Sequence, residues 1–320
     1  MGALLDGRWV RDADIPRSGD GSFQRKASAI RDSVEDRVGA KYAAVAGRYR
    51  LYVSLACPWA HRTLIARALL GLDDVLPVSI VDWHMTEDGW HFSERDGATR
   101  DHEHGLAYLR DLYVRSHPDY SGRVTVPVLY DRERQRIVNN ESSEILRMLN
   151  GAFRGLARTP FDFYPEAQRR DIDAVNAKVY DHVNNGVYRC GFATSQTAYE
   201  QAFIALFETL DELEDRLAKQ RYLVGPRVTE ADIRLFPTLI RFDAVYHGHF
   251  KCNRRKICEY PNLSNYVRDF YALPGVAATV DLHHIRWHYY HSHRTINPTG
   301  IVASGPSDDF AAPHDRGRFG

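Results

Sequence analysis

Residues 50–71 read RLYVSLACPWAHRTLIARALLG. In the first seven, Leu51, Val53 and Leu55 alternate as one face of a half-buried strand does. Pro58 suits the first position of a helix, where its missing N–H would find no intrahelical partner anyway. Leu64, Ile65, Ala68 and Leu69 then recur at helical spacing up to a stop at Gly71. VLPVSIVD at 75–82 supplies a second strand, and the order strand, helix, strand predicts a parallel βαβ unit. Cys57 stands at the junction of its first strand and helix.

Further along, a polar insertion from Trp83 to about Gly105 precedes a helical stretch near LAYLRDLYV, 106–114. VTVPVLYD (124–131) and RQRIVN (134–139) read as a hairpin across the charged turn DRER. NESSEILRMLN (140–150) reads as a helix with Asn140 as its N-cap and Glu141 in the first turn. From about Phe163 the apolar spacing turns helical, as in AQRRDIDAVNAKVYDHVNN (167–185) and TAYEQAFIALFETLDELEDRLAKQ (197–220). In VTEADIRLFPTLIRF, Thr229 and Asp232 form a capping pattern before an apolar run. The expected plan is an extended polar arm over 1–47, a small α/β domain over 48–155 and an all-helical domain over 160–320. The tail after Asn297, rich in Pro and Gly, is expected to be irregular.

With 42 basic and 42 acidic residues, the chain has no overall field for holding nucleic acid or an anionic membrane, so neither is an expected partner. No apolar run approaches the roughly 18 residues of a spanning helix, and the first residues lack a secretory layout. A soluble cytoplasmic protein is expected. Four cysteines (57, 190, 252 and 258) are too few to imply a disulfide framework. Cys252 and Cys258 lie near His247 and His249, but C-x5-C matches no usual ligand pair, so no metal is expected. Packing or surface placement suits those two cysteines better.

Cys57 reads differently. Only a thiolate attacks, and an ordinary cysteine is a few per cent ionised at neutral pH. The start of a helix offers free N–H donors and partial positive charge, which stabilise the thiolate. Ala60 stands where a C-x-x-C motif would carry its resolving cysteine. The second thiol must then come from outside, and glutathione is the obvious supplier. Pro127 begins a strand where thioredoxin-like folds keep a cis-proline facing the cysteine, and Val126 before it would offer its N–H and C=O to a peptide-like ligand. Glu141 and Ser142, at a helix N-terminus, could hold the amine and carboxylate of a γ-glutamyl group.

CPWAHR (57–62), VTVPVLYD with NNES (139–142), GVYRCGFA (186–193), RLFPTLIRFDAVYHGHFKCN (234–253) and HYYHSHRTINPTGIV (288–302) together carry a resemblance over nearly the whole length. The chain resembles the glutathionyl-hydroquinone reductases, the Xi class of the glutathione transferase superfamily. The last two stretches are the most specific. The resemblance implies an N-terminal thioredoxin-like domain, a C-terminal all-helical glutathione-transferase-type domain and a homodimer. It implies that a glutathionyl-hydroquinone plus glutathione yields hydroquinone plus oxidised glutathione, without a metal. Cys57 would be the nucleophile, and Trp90, Arg123, Val124, Thr125, Val126, Pro127, Glu141 and Ser142 would form the glutathione site. Tyr188 would give or take the proton, while Tyr246 and Tyr289 would line the site and help lower the pKa of Cys57. Tyr290 stays open as the alternative to Tyr289.

Two rivals remain at this stage. One is a conventional glutathione transferase or ether-cleaving lyase acting on aromatics, which a serine or tyrosine at position 57 would have favoured. The other is a non-catalytic fold-mate, which the retention of Cys57, Glu141, Ser142 and the tyrosines opposes. The histidines of DLHHIRW and HYYHSH read as solvated or site-lining.

Overall fold

The computed structural model describes residues 2–11, 13, 18–307 and 309–320. Positions 1, 12 and 14–17 of the expected arm, and 308 of the expected tail, lie outside the described residues. The chain divides into two compact units that are discontinuous in sequence. One takes Ala27–Phe161, Thr279–His288 and the described residues up to 13; the other takes Asp162–Ala278, Tyr289–Gly320 and the described residues of Pro16–Lys26.

In the first unit, β1 (Ala3–Leu5) and β2 (Arg8–Val10) pair antiparallel across Asp6 and Gly7. Both turn residues have positive φ, 46° and 73°, as a two-residue hairpin of this hand demands. A Cβ on Gly7 would also lie 1.9 Å from the carbonyl oxygen of Pro118. The main sheet is built from β3 (Tyr49–Val53), β4 (Val78–Ile80), β5 (Val128–Asp131) and β6 (Arg136–Asn139), in the order β4-β3-β5-β6. β3 and β4 run parallel around α1 (Pro58–Leu70), which is the βαβ unit read from the sequence. β5 runs antiparallel to both β3 and β6. All five residues of β3 are buried, so the expected alternation of Leu51, Val53 and Leu55 does not describe it, and Leu55 falls beyond its end. A strand covered on both faces has no solvent side to mark.

α1 ends as expected at Gly71, which is left-handed (φ 64°), with its N–H on the carbonyl of Ala68 and that of Leu72 on Arg67. α2 (Leu109–Ser116) and α3 (Ser142–Asn150) complete this unit, and α3 packs on α1. The N-cap of α3 is Glu141 rather than Asn140: the Glu141 carboxylate accepts the Ser143 N–H at 3.1 Å.

In the second unit, α4 (Arg169–Lys178) runs into a wider i→i+5 turn over Val179–Asn184, followed by α5 (Gly186–Phe192) and the long α6 (Gln196–Leu217). α7 (Glu230–Arg241) starts at the Thr229–Asp232 cap, where the Thr229 N–H donates to the Asp232 carboxylate at 2.8 Å. It too opens into an i→i+5 turn, Phe242–Tyr246. α8 (Pro261–Tyr271) and α9 (Leu282–Ser292) follow, the boundary between the units falling inside α9. In the tail, wholly buried Arg316 donates to the carbonyls of Leu217 (2.7 Å), Arg221 (2.6 Å) and Gln220, at the C-terminal end of α6. Among the described residues no helix is long and apolar enough to cross a membrane.

Candidate active site

Cys57 is the N-cap of α1, with extended backbone and Pro58 in the first turn. No acidic residue stands in that turn to oppose a thiolate. The thiol is half-buried, and its Sγ lies 3.6 Å from the carbonyl oxygen of Val126. The Val126–Pro127 peptide bond is cis, so the expected proline is in the expected isomer and the cysteine faces it. Among the described residues, nothing accepts the main-chain N–H of Val126, although the residue is buried. A buried amide without an acceptor is rare in native proteins. Here it belongs to the residue whose carbonyl faces the Cys57 sulfur at the start of α1.

The preceding residue is engaged differently. Thr125 gives its N–H to the hydroxyl of Tyr113 (3.3 Å) and receives that hydroxyl's proton at its carbonyl (2.8 Å). Val124 is buried beside it. The Glu141 carboxylate collects Ser143 Oγ (3.0 Å) and Ser28 Oγ (3.0 Å) besides the Ser143 N–H. Ser142 Oγ receives a longer hydrogen bond from Arg62 (3.4 Å), a buried guanidinium on α1 that also lies 4.5 Å over the Trp59 ring. Arg62 thus touches both Trp59, in the first turn of α1, and Ser142, at the start of α3.

Trp90 is buried and stacks on His288, ring centroids 4.8 Å apart. Arg123 donates to the carbonyls of Gly2 (3.0 Å) and Ala13 (3.1 Å), so its guanidinium is held by the N-terminal segment. Cys57, Val124, Thr125, Val126, Pro127, Glu141, Ser142, Trp90 and Arg123 all belong to the first unit.

The three tyrosines belong to the second, and they form one cluster. The Tyr289 hydroxyl lies 2.5 Å from that of Tyr188 and 2.9 Å from that of Tyr246. The Tyr290 ring packs on His249 at 4.8 Å. Burial pushes the phenols of Tyr246 and Tyr289 well above their ordinary range, so both are neutral donors at neutral pH. Tyr188 sits at the half-buried end. Its helix and the turn containing Tyr246 each follow or comprise an i→i+5 bend, marked by Asn185 N–H on Tyr180 (3.0 Å) and His247 N–H on Phe242 (2.8 Å). Such bends reorient the side chains that follow and gather at functional sites.

Several neighbours of these residues carry no sequence signal of their own. Phe23 stacks near Tyr188 at 6.4 Å, and Arg25 lies 5.0 Å over the same ring while donating to Asn185 at 2.8 Å. Ser28 reaches Glu141 across more than a hundred residues. Of the histidines read as solvated or site-lining, His284, His288 and His293 are buried, and His288 is within hydrogen-bond distance of the Trp83 carbonyl at 2.9 Å. Cys190 and Cys252 are buried and Cys258 is exposed.

A family model described as the N-terminal domain of glutathione S-transferase matches residues 56–152, and one for the C-terminal domain matches 196–269. The chain is 53% identical to the glutathionyl-hydroquinone reductase PcpF of Sphingobium chlorophenolicum, across 96% of this chain and 97% of that protein. The chain belongs to the glutathionyl-hydroquinone reductases. Another relative, the glutathionyl-hydroquinone reductase YqjG of Escherichia coli K12, is 51% identical over the full length of both. Among solved structures, a Xi class glutathione transferase from Natrialba magadii matches with a TM-score of 0.94 at 50% identity, covering 100% of this chain and 97% of that one. Glutathione-bound YqjG matches with a TM-score of 0.91 at 47% identity, covering 99% of each. The thioredoxin-like and helical halves expected from the sequence are those of this family.

Proposed function

We propose that the chain reduces glutathionyl-hydroquinones to hydroquinones at the expense of glutathione, through a mixed disulfide on Cys57. The observation that carries this reading is Cys57 at the start of α1, its sulfur 3.6 Å from the Val126 carbonyl and beside a Val126 N–H that nothing in the described chain accepts. That pair of main-chain groups suits the cysteinyl residue of glutathione. Glu141 suits its γ-glutamyl amine, and the N–H groups opening α3 suit its carboxylate.

The electrons balance without a further cofactor. The Cys57 thiolate attacks the sulfur of the aryl thioether, the sulfur–carbon bond breaks, and its electron pair stays on the ring carbon, which takes a proton. A ring carbon departs readily only if protonated as it leaves, and a phenol can supply that proton. We assign this to Tyr188. The proton order Tyr246 to Tyr289 to Tyr188 uses one proton per hydroxyl and leaves the half-buried Tyr188 as the terminal donor. A second glutathione then attacks the mixed disulfide, releases oxidised glutathione and returns Cys57 as thiolate.

The test is mass spectrometry of protein treated with a glutathionyl-hydroquinone in the absence of free glutathione. One glutathionyl group on Cys57 is expected, and Cys57→Ser should lose both adduct and turnover. An adduct on Cys190, Cys252 or Cys258 instead would overturn the reading. The family resemblance also supports a homodimer, which sedimentation at micromolar concentration tests; a species of only 36.6 kDa would refute it. Dependence on reduced glutathione supports a cytoplasmic setting.

A further inference from the structure

We infer that Tyr113 and Asn140, two residues outside the expected glutathione contacts, are positioning residues that brace the loop carrying Val126 against the cap carrying Glu141 and Ser142. This rests on the reading of those three as glutathione contacts.

Tyr113 lies on α2 and is wholly buried. A phenol has one proton to give and two lone pairs to offer. The proton goes to the Thr125 carbonyl (2.8 Å), and the lone pairs receive the Thr125 N–H (3.3 Å) and the Asn140 side-chain amide (3.1 Å). Its capacity is fully used. Asn140 is as thoroughly engaged. Its amide nitrogen also reaches Thr125 Oγ1 (3.4 Å), and its side-chain oxygen accepts the Ile30 N–H (3.3 Å). Its own N–H donates to the Ile30 carbonyl (3.1 Å), and its carbonyl accepts Ser28 Oγ (3.2 Å).

One asparagine therefore joins the arm, α2 and the loop leading to Pro127, and the next residue in the chain is Glu141. The consequence is geometric. Because Thr125 spends both main-chain groups on Tyr113, the neighbouring Val126 N–H is held at a set distance and direction from the α3 cap. A peptide-like ligand that must meet both ends binds more tightly when neither end has to be ordered on arrival. Removing the Tyr113 hydroxyl cuts the link without touching either anchor.

The experiment uses full-length protein and reduced glutathione as the probe, with Kd from calorimetry on a Cys57→Ser background and steady-state rates on Cys57 protein. Tyr113→Phe should weaken glutathione about tenfold in Kd and KM, with kcat at saturating glutathione within about twofold of the parent. Tyr49→Phe is the control: it removes an equally buried hydroxyl, bonded to the Ala43 carbonyl at 2.8 Å, and should lower stability while leaving Kd unchanged. If Tyr113→Phe behaves like this control, the brace is merely structural and the inference falls. Glu141→Gln separates the two layers. Should it weaken glutathione while Tyr113→Phe does not, only the inference is wrong. Should neither matter, the reading of the site falls with it. If Tyr113→Phe does not yield folded protein, Asn140→Ser cuts the same link from the other side and is judged by the same criteria.

Discussion

The sulfur of Cys57 lies 3.6 Å from the carbonyl oxygen of Val126, long for anything but a weak thiol hydrogen bond. On the proposed reading the sulfur reacts and does not anchor glutathione. Cys57→Ala should abolish turnover and yet bind glutathione with a Kd within about threefold of the parent, since the energy of one weak contact is a fraction of 1 kcal/mol. A hundredfold loss of affinity on calorimetry would show that the sulfur itself is the anchor.

Tyr188→Phe keeps the ring against Phe23 and Phe192 and removes only the hydroxyl. Loss of a general acid costs about 100- to 10,000-fold. Single-turnover release of hydroquinone should slow by that order, while reduction of a preformed Cys57–glutathione disulfide by glutathione keeps its rate. Tyr290→Phe, at the ring packed on His249, should leave both steps unchanged. Equal slowing of both steps in Tyr188→Phe would mean the phenol holds structure and gives no proton.

His249 is buried among Phe250, Tyr290 and His293, with His293 Nδ1 at 3.4 Å. Burial, assisted by Lys251, brings its pKa down to about 4. An unfolded histidine takes up its proton near pH 6.5. Between those values the unfolded chain binds more protons than the folded one, so this contribution to stability is complete above about pH 6.5 and is lost as pH falls toward 4. At most about 3 kcal/mol is involved. Urea unfolding of His249→Gln from pH 7 to 4 should show a shallower decline than the parent. Parallel curves would place the acid sensitivity elsewhere.

Arg316→Ala removes a buried guanidinium and leaves the carbonyls of Leu217, Gln220 and Arg221 without its donors. About 2 to 4 kcal/mol of stability should be lost, read as a lower midpoint in urea, with kcat near the parent's at low temperature. An unchanged midpoint would show that water replaces the arginine at no cost.

What could be read in advance follows from how far each feature reaches along the chain. α1 was legible because Pro58 and Gly71 mark its ends within one short window, and the hairpin of β5 and β6 because its turn is local. The α3 cap was displaced by one residue because Asn140, a good capping type, is drawn off by Tyr113 and Ile30. The i→i+5 turns at Val179–Asn184 and Phe242–Tyr246 leave apolar spacing almost unaltered and so show nothing in a periodicity reading. Cys57 stands out in the sequence by its position. Tyr113, Ser28 and His288 do not, since each meets a partner 12 or more residues away and is of a type that usually only packs. That the Tyr289 hydroxyl meets those of Tyr188 and Tyr246 needed coordinates, because neighbours on a helix point about 100° apart and the sequence does not say which way is inward.

The donor at Val126 belongs to the peptide backbone, and that makes the site unequally exposed to mutation. Every amino acid but proline carries the same N–H, so no other single codon change at position 126 can delete it, whatever the side chain becomes. The limit there is volume alone, since the residue is 5% exposed. Glu141 has no such protection: one exchange removes its carboxylate and, with it, the acceptor for Ser143 and Ser28. On the proposed reading, natural variants of this enzyme should therefore drift freely in bulk at 126 among small apolar residues, while loss of glutathione affinity should collect at 141.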